Sequence, residues 1–117
     1  MSAMPVYLVD DEEAIRRSLK LVLQLTGHEV VLFDSGRHFL DAVAGMPTGC
    51  ILLDVRMPEI DGLQVQQELN RRHIDMPVVV MTGHGDISVA VTALKSGADD
   101  FIEKPFERAQ MLAAIER

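Results

Sequence analysis

A chain of 117 residues at 48% apolar content has room for one compact domain with a real core and none for a second. Eighteen acidic against eleven basic residues give a formal charge of −7, spread along the chain, which argues against this piece alone holding nucleic acid phosphates. One cysteine, Cys50, excludes an internal disulfide and suits a reducing cytosol; Met1 to Pro5 has no basic region before an apolar stretch, and no run nears the ~20 apolar residues of a membrane span, so the chain reads as soluble.

Short apolar runs alternate with longer segments of helical period, the pattern of a parallel sheet covered by helices on both faces. Val6 to Val9 is the first predicted strand, and Ala14 to Leu25 the first helix, with Ile15, Leu19, Val22 and Leu23 on one stripe and Gly27 as its stop. Val30 to Phe33 is a second strand and Arg37 to Ala44 a short helix. Cys50 to Leu53 is a third strand, whose unbroken apolar character predicts cover on both faces and a place at the sheet centre. A loop over Met57 to Asp61 leads to a helix over Gly62 to Arg72, and Val78 to Met81, entered through Pro77, is the fourth strand. After the break at Gly83 to Gly85, Asp86 is placed to cap a helix from Ile87 to Ser96. Phe101 to Glu103 is a brief fifth strand before Pro105, and a last helix runs from Arg108 to the end at Arg117. Helical crossovers return the chain to the same end of the sheet, so the fold class is α/β, a doubly wound five-stranded parallel sheet.

In such a sheet the ligand site lies outside the carboxyl ends of the strands. There the sequence places Asp10 and Asp11 after the first strand, Asp54 after the third, Thr82 after the fourth and Lys104 after the fifth. Crowded carboxylates repel, by about 4 kcal/mol for each pair 4 Å apart at an effective dielectric of ~20, so a cation belongs among them. Hard oxygen ligands suit magnesium, which binds through a few carboxylates and a phosphate. Asp54, ending the most apolar strand, is the candidate nucleophile toward phosphorus. Asp10, Asp11, Asp54 and the Arg56 backbone carbonyl are the candidate metal ligands, and Thr82 and Lys104 the candidate donors to phosphoryl oxygens.

These residues lie in VDD at positions 9 to 11, LLDVRMPEIDG at 52 to 62, TGHGD at 82 to 86 and DFIEKPF at 100 to 106. Together the motifs resemble the response-regulator receiver family over the whole chain, 1–117, and TGHGD with DFIEKPFE resembles the FixJ type of transcriptional regulator, with sigma-54 activators such as DctD as near rivals. The resemblance implies the CheY-like, flavodoxin-like strand order 2-1-3-4-5, phosphorylation of Asp54 by a sensor histidine kinase in the presence of magnesium, and switching through Thr82, Phe101 and Lys104. It further implies a cis bond between Lys104 and Pro105 and dimerisation through the fourth helix and fifth strand, with Val91 and Lys95 as candidates for that face. An output domain is absent from these residues, so the domain itself is expected not to bind DNA, to sit in the cytoplasm rather than in a membrane, and to act as a phosphoacceptor that also dephosphorylates itself.

Three other readings compete. A magnesium-dependent aspartyl phosphatase would favour an aspartate two residues after the nucleophile, where this chain has Arg56, which cannot serve as a general acid or base at neutral pH. A phosphorylation-independent binding module, or a stand-alone receiver, would share the fold, and the former would be expected to lack one of the key residues. The histidines His28, His38, His73 and His84 show no i, i+3 or i, i+4 pairing and read as solvated, with His84 in the proposed switch loop; the methionines read as core filler.

Overall fold

The computed structural model describes residues 4–83 and 85–116. Its strands are β1 (Val6–Val9), β2 (Val30–Phe33), β3 (Cys50–Asp54), β4 (Val78–Thr82) and β5 (Asp100–Glu103), in one parallel sheet ordered β2-β1-β3-β4-β5. The helices are α1 (Glu13–Leu25), α2 (Gly36–Ala42), α3 (Gly62–Arg71), α4 (Ile87–Lys95) and α5 (Arg108–Ile115). None of the described helices is long and apolar enough to cross a membrane.

Side chains alternate between the faces of a strand, and the core divides accordingly. Val6, Leu8, Leu52, Val79, Met81 and Ile102 pack with Leu19 and Leu23 of α1 and Met111 of α5. Tyr7, Val9, Ile51, Leu53 and Val80 pack on the other side with Phe39 of α2, Val65 and Leu69 of α3 and Ala93 of α4. Every residue of β3 and β4 is buried, as a doubly covered strand requires.

Local sequence sets the helix ends. Ser35 accepts from the His38 N–H at 3.1 Å to start α2, and Asp61 and Gln64 form a reciprocal capping box at the start of α3. Gly27, at φ 88°, closes α1 with the His28 N–H donating to the Leu23 carbonyl at 2.9 Å.

Several boundaries differ from expectation. Asp54 and Thr82 lie inside their strands rather than after them, because the ladder is made by backbone groups and continues past the last apolar side chain: Asp54 pairs with Met81, and Thr82 with Glu103. β5 likewise begins one residue early, at Asp100. The short second helix stops at Ala42 and tightens into a 3-10 turn over Val43–Gly45. α3 and α4 each stop one residue short of expectation, α5 closes at Ile115, and Arg117 lies outside the described residues.

His28 corrects the expectation of solvated histidines. Its side chain is 10% exposed and stands 3.6 Å from Glu116, tying the end of α5 to the turn after α1. His38 packs edge-on against Phe33 with ring centroids 5.0 Å apart, and His73 is exposed at a φ of 58°. His84 lies outside the described residues.

Candidate functional site

Adjacent strand ends bring the expected residues together. Carboxylate oxygens of Asp10, Asp11 and Asp54 lie within 4.8 Å of one another, with Asp10 and Asp54 buried and Asp11 exposed. The order β1-β3-β4 sets Asp10, Asp54 and Thr82 side by side, and Lys104, just past β5, reaches across β4 to them.

Asp10 is the most heavily bonded member. One oxygen accepts from the Glu12 N–H at 2.9 Å, the other from the Lys104 ammonium at 3.0 Å, and its backbone carbonyl accepts from Arg16 at 2.7 Å. Lys104 also stands 3.5 Å from Asp54 and 3.8 Å from Glu12. Burial opposes its charge, yet the bond to Asp10 and the fields of Asp54, Asp10 and Glu12 outweigh that effect and hold its pKa above the ordinary lysine value. It is no solvated surface cation: its side chain is 20% exposed.

Asp54 shows the opposite balance. Burial first, then the charge of Asp10, push its carboxyl up to about 7, with Lys104 pulling down and Asp11 adding a smaller upward push. A carboxylate whose charge is opposed first by burial and then by like charges is short of positive charge. The donor set, three hard carboxylates converging on one space, fits a divalent cation. Asp54, Asp11 and Asp10 would hold such an ion together with the Arg56 carbonyl at the start of the next loop.

The β3–α3 loop is packed directly against this site. The Gly62 N–H donates to the Val55 carbonyl at 2.8 Å, and a Cβ on Gly62 would fall 2.8 Å from Val55 Cα and closer still to the Asp54 carbonyl oxygen. Only glycine lets α3 begin that near the strand.

Thr82 is 1% exposed, and its hydroxyl makes one long contact, 3.5 Å, to the Ile102 carbonyl. Its backbone carbonyl accepts from the Lys104 N–H at 2.7 Å. Phe101 is half-buried against the core on the α3/α4 side, and the Lys104–Pro105 bond is cis. Val91 and Lys95 are exposed on α4.

Three arrangements went unread in the sequence. Asp86 occupies the N-cap position of α4 but makes no side-chain cap bond; both its oxygens accept from the Arg56 guanidinium, at 2.7 Å and 3.0 Å. This corrects the expectation that Asp86 caps the helix. Glu103 accepts the Gly85 N–H at 2.8 Å. Glu12, just ahead of α1, turns its carboxylate toward Lys104, 3.8 Å away. Opposite charges on loops after neighbouring strands were the available signal for the first of these.

A five-stranded parallel sheet in this order, with carboxylates and a lysine gathered at its carboxyl end, defines a receiver of two-component signalling. The profile of the response regulator receiver domain matches residues 6–116, and the chain belongs to that family. It is 49% identical over 113 residues to the transcriptional regulatory protein FixJ of Azorhizobium caulinodans, covering 97% of this chain and 54% of that protein. FixJ of Bradyrhizobium diazoefficiens is 45% identical over 111 residues, covering 95% and 54%. The crystal structure of FixJ-N superposes with a TM-score of 0.95 at 41% identity, covering 99% of this chain and 93% of that one. The chain thus spans about half the length of these curated relatives.

Proposed function

We infer that Asp54 is the phosphoryl acceptor of this receiver. The observation that supports it is the convergence of Asp10, Asp11 and Asp54 within 4.8 Å beside Lys104. An Asp54 carboxylate oxygen attacks the phosphorus of a phosphohistidine on a sensor histidine kinase. The new O–P bond forms as the P–N bond breaks, and that electron pair leaves with the imidazole. Bound magnesium supplies positive charge to the phosphoryl oxygens. Lys104 supplies a second charge from the β5 side, and Asp10 holds it there by the 3.0 Å bond. Arg56, two residues on, offers no general base for rapid hydrolysis. The chain is therefore a phosphoacceptor with slow self-dephosphorylation rather than a turnover enzyme.

The hydroxyl of Thr82 has only a weak partner to give up, so a phosphoryl group on Asp54 draws it inward, and the space it leaves is taken by Phe101. That movement alters the α4–β5 face, where Ile87, Val91 and Leu94 are 53%, 43% and 39% exposed, with Lys95 beside them. This face is the proposed homodimer surface. Transcription is the proposed output, exerted in the cytoplasm through a separate domain, while residues 1–117 form the receiver and make no contact with nucleic acid or membrane.

The test is incubation with magnesium and acetyl phosphate. Intact mass should rise by one phosphoryl group, and the Asp54→Asn protein should gain none. Equal labelling of the Asn protein would remove Asp54 from the role.

A further inference from the structure

Arg56 lies in the loop after β3 and Asp86 in the loop after β4, so their two parallel hydrogen bonds bridge the loops that flank Asp54 and Thr82. The geometry is bidentate, the strong form of an arginine–carboxylate pair, and the Asp86 side chain is 23% exposed. The guanidinium is the main cause holding the Asp86 carboxyl below its usual range. The same loop is tied from the other side, where the Glu103 carboxylate accepts the Gly85 N–H at 2.8 Å.

Asp86 also stands where a helix cap belongs. An aspartate at this position ordinarily accepts from the N–H of the second or third helical residue, here Ser88 or Val89, and so satisfies groups that have no partner inside the helix. In this conformation it serves neither. Its backbone, at φ −89° and ψ 46°, is away from the extended form of the capped ends at Ser35 and Asp61. One carboxylate therefore has two competing uses, and each is worth a comparable small amount.

We propose that Asp86 is a positioning residue with two alternative partners, the Arg56 guanidinium in the conformation seen here and the first N–H groups of α4 when the loop moves. Exchange between them sets how readily Thr82 reaches a phosphoryl group on Asp54. The proposal rests on the reading of Asp54 and Thr82 given above. With Asp86 on Arg56, the β4–α4 loop is strapped to the β3–α3 loop and resists displacement. When Thr82 moves inward, Asp86 leaves the arginine and gains the cap, so the loss on one side is offset on the other. The element has two discrete arrangements of similar stability, which is what a switch needs. Gly85, at φ 86°, lies at the point the chain must turn to pass between them.

The two uses separate by substitution. Asp86→Asn keeps a good cap and loses the charged pair, whereas Asp86→Glu keeps the charge and caps poorly. In the Asn protein, hydrogen exchange at the Gly85 amide should speed up and that at Val89 slow down. Its initial rate of phosphorylation by acetyl phosphate with magnesium should rise roughly twofold to fivefold, the range expected for loss of an exposed ion pair. The Glu protein should be labelled no faster than the parent and keep the parent exchange pattern. Equal rates and exchange in the Asn and parent proteins would overturn the proposal, as would equal acceleration by Asn and Glu. Failure of the parent to be labelled, or equal labelling of Asp54→Asn, would instead overturn the receiver chemistry, while the exchange pattern still reports on Asp86.

Discussion

Lys104 stands 3.5 Å from Asp54 although the strands that carry them are separated by β4. The lysine is the cation that lowers the Asp54 pKa against burial and Asp10. Lys104→Met should therefore move the Asp54 titration upward from about 7, followed through the carboxyl carbon signal, and should slow phosphorylation at neutral pH. A titration left in place would show that the ammonium does not act on Asp54.

The same shift links stability to pH. Asp54 has a pKa of about 7 when folded and ~3.9 in an unfolded chain, so between these values the folded protein binds more protons. Its contribution to stability is present below the unfolded value and is lost as pH rises through the folded one. Without metal, unfolding free energy should fall by about 2–4 kcal/mol from this group between pH 4 and pH 8. Asp54→Asn should flatten that slope in urea titrations, and an unchanged slope would refute the assignment of the shift to this residue.

Magnesium should reverse the penalty. An ion bound by the folded protein alone stabilises it by about 2.7 kcal/mol at one hundred times its Kd. Asp11 is exposed, so Asp11→Asn should leave the metal-free Tm nearly unchanged and abolish most of the magnesium-dependent rise. Retention of the full rise would take Asp11 out of the ligand set.

Gly62 makes a structural prediction. Because a Cβ there meets backbone at Val55 and Asp54, Gly62→Ala should cost about 1–3 kcal/mol in urea unfolding and depress phosphorylation by shifting the β3–α3 loop. Wild-type stability with wild-type labelling would mean that the loop yields without consequence.

The α4 face can be tested by charge. Val91 is 43% exposed, so Val91→Glu should change monomer stability by no more than about 0.5 kcal/mol, yet keep the phosphorylated protein monomeric in sedimentation. Dimerisation as in the parent would exclude this face.

The strands were legible because doubly covered parallel strands need unbroken apolar runs, and Cys50 to Leu53 and Val78 to Met81 have them. Their last residues were not, since Asp54 and Thr82 remain in the ladder through backbone bonds that side-chain hydropathy does not report. The acidic cluster was legible because fold class dictates where strand ends meet. The partner of Asp86 was not, because capping is a local rule and the Arg56 bond, 30 residues away, is a tertiary one that displaced it. The same holds for His28, whose ring stands 3.6 Å from Glu116, at the far end of the chain.

The bond between Lys104 and Asp10 joins residues 94 apart in a chain of 117. Its formation needs the first and last strands in register on opposite sides of β3, among the least local pairings this fold contains. A nascent chain on the ribosome can display Asp10, Asp11 and Asp54 long before residue 104 has emerged, yet it lacks Lys104 to balance their charge. On the proposed reading of Asp54, competence to be phosphorylated requires the finished sheet, because only then does Lys104 stand beside both Asp10 and Asp54.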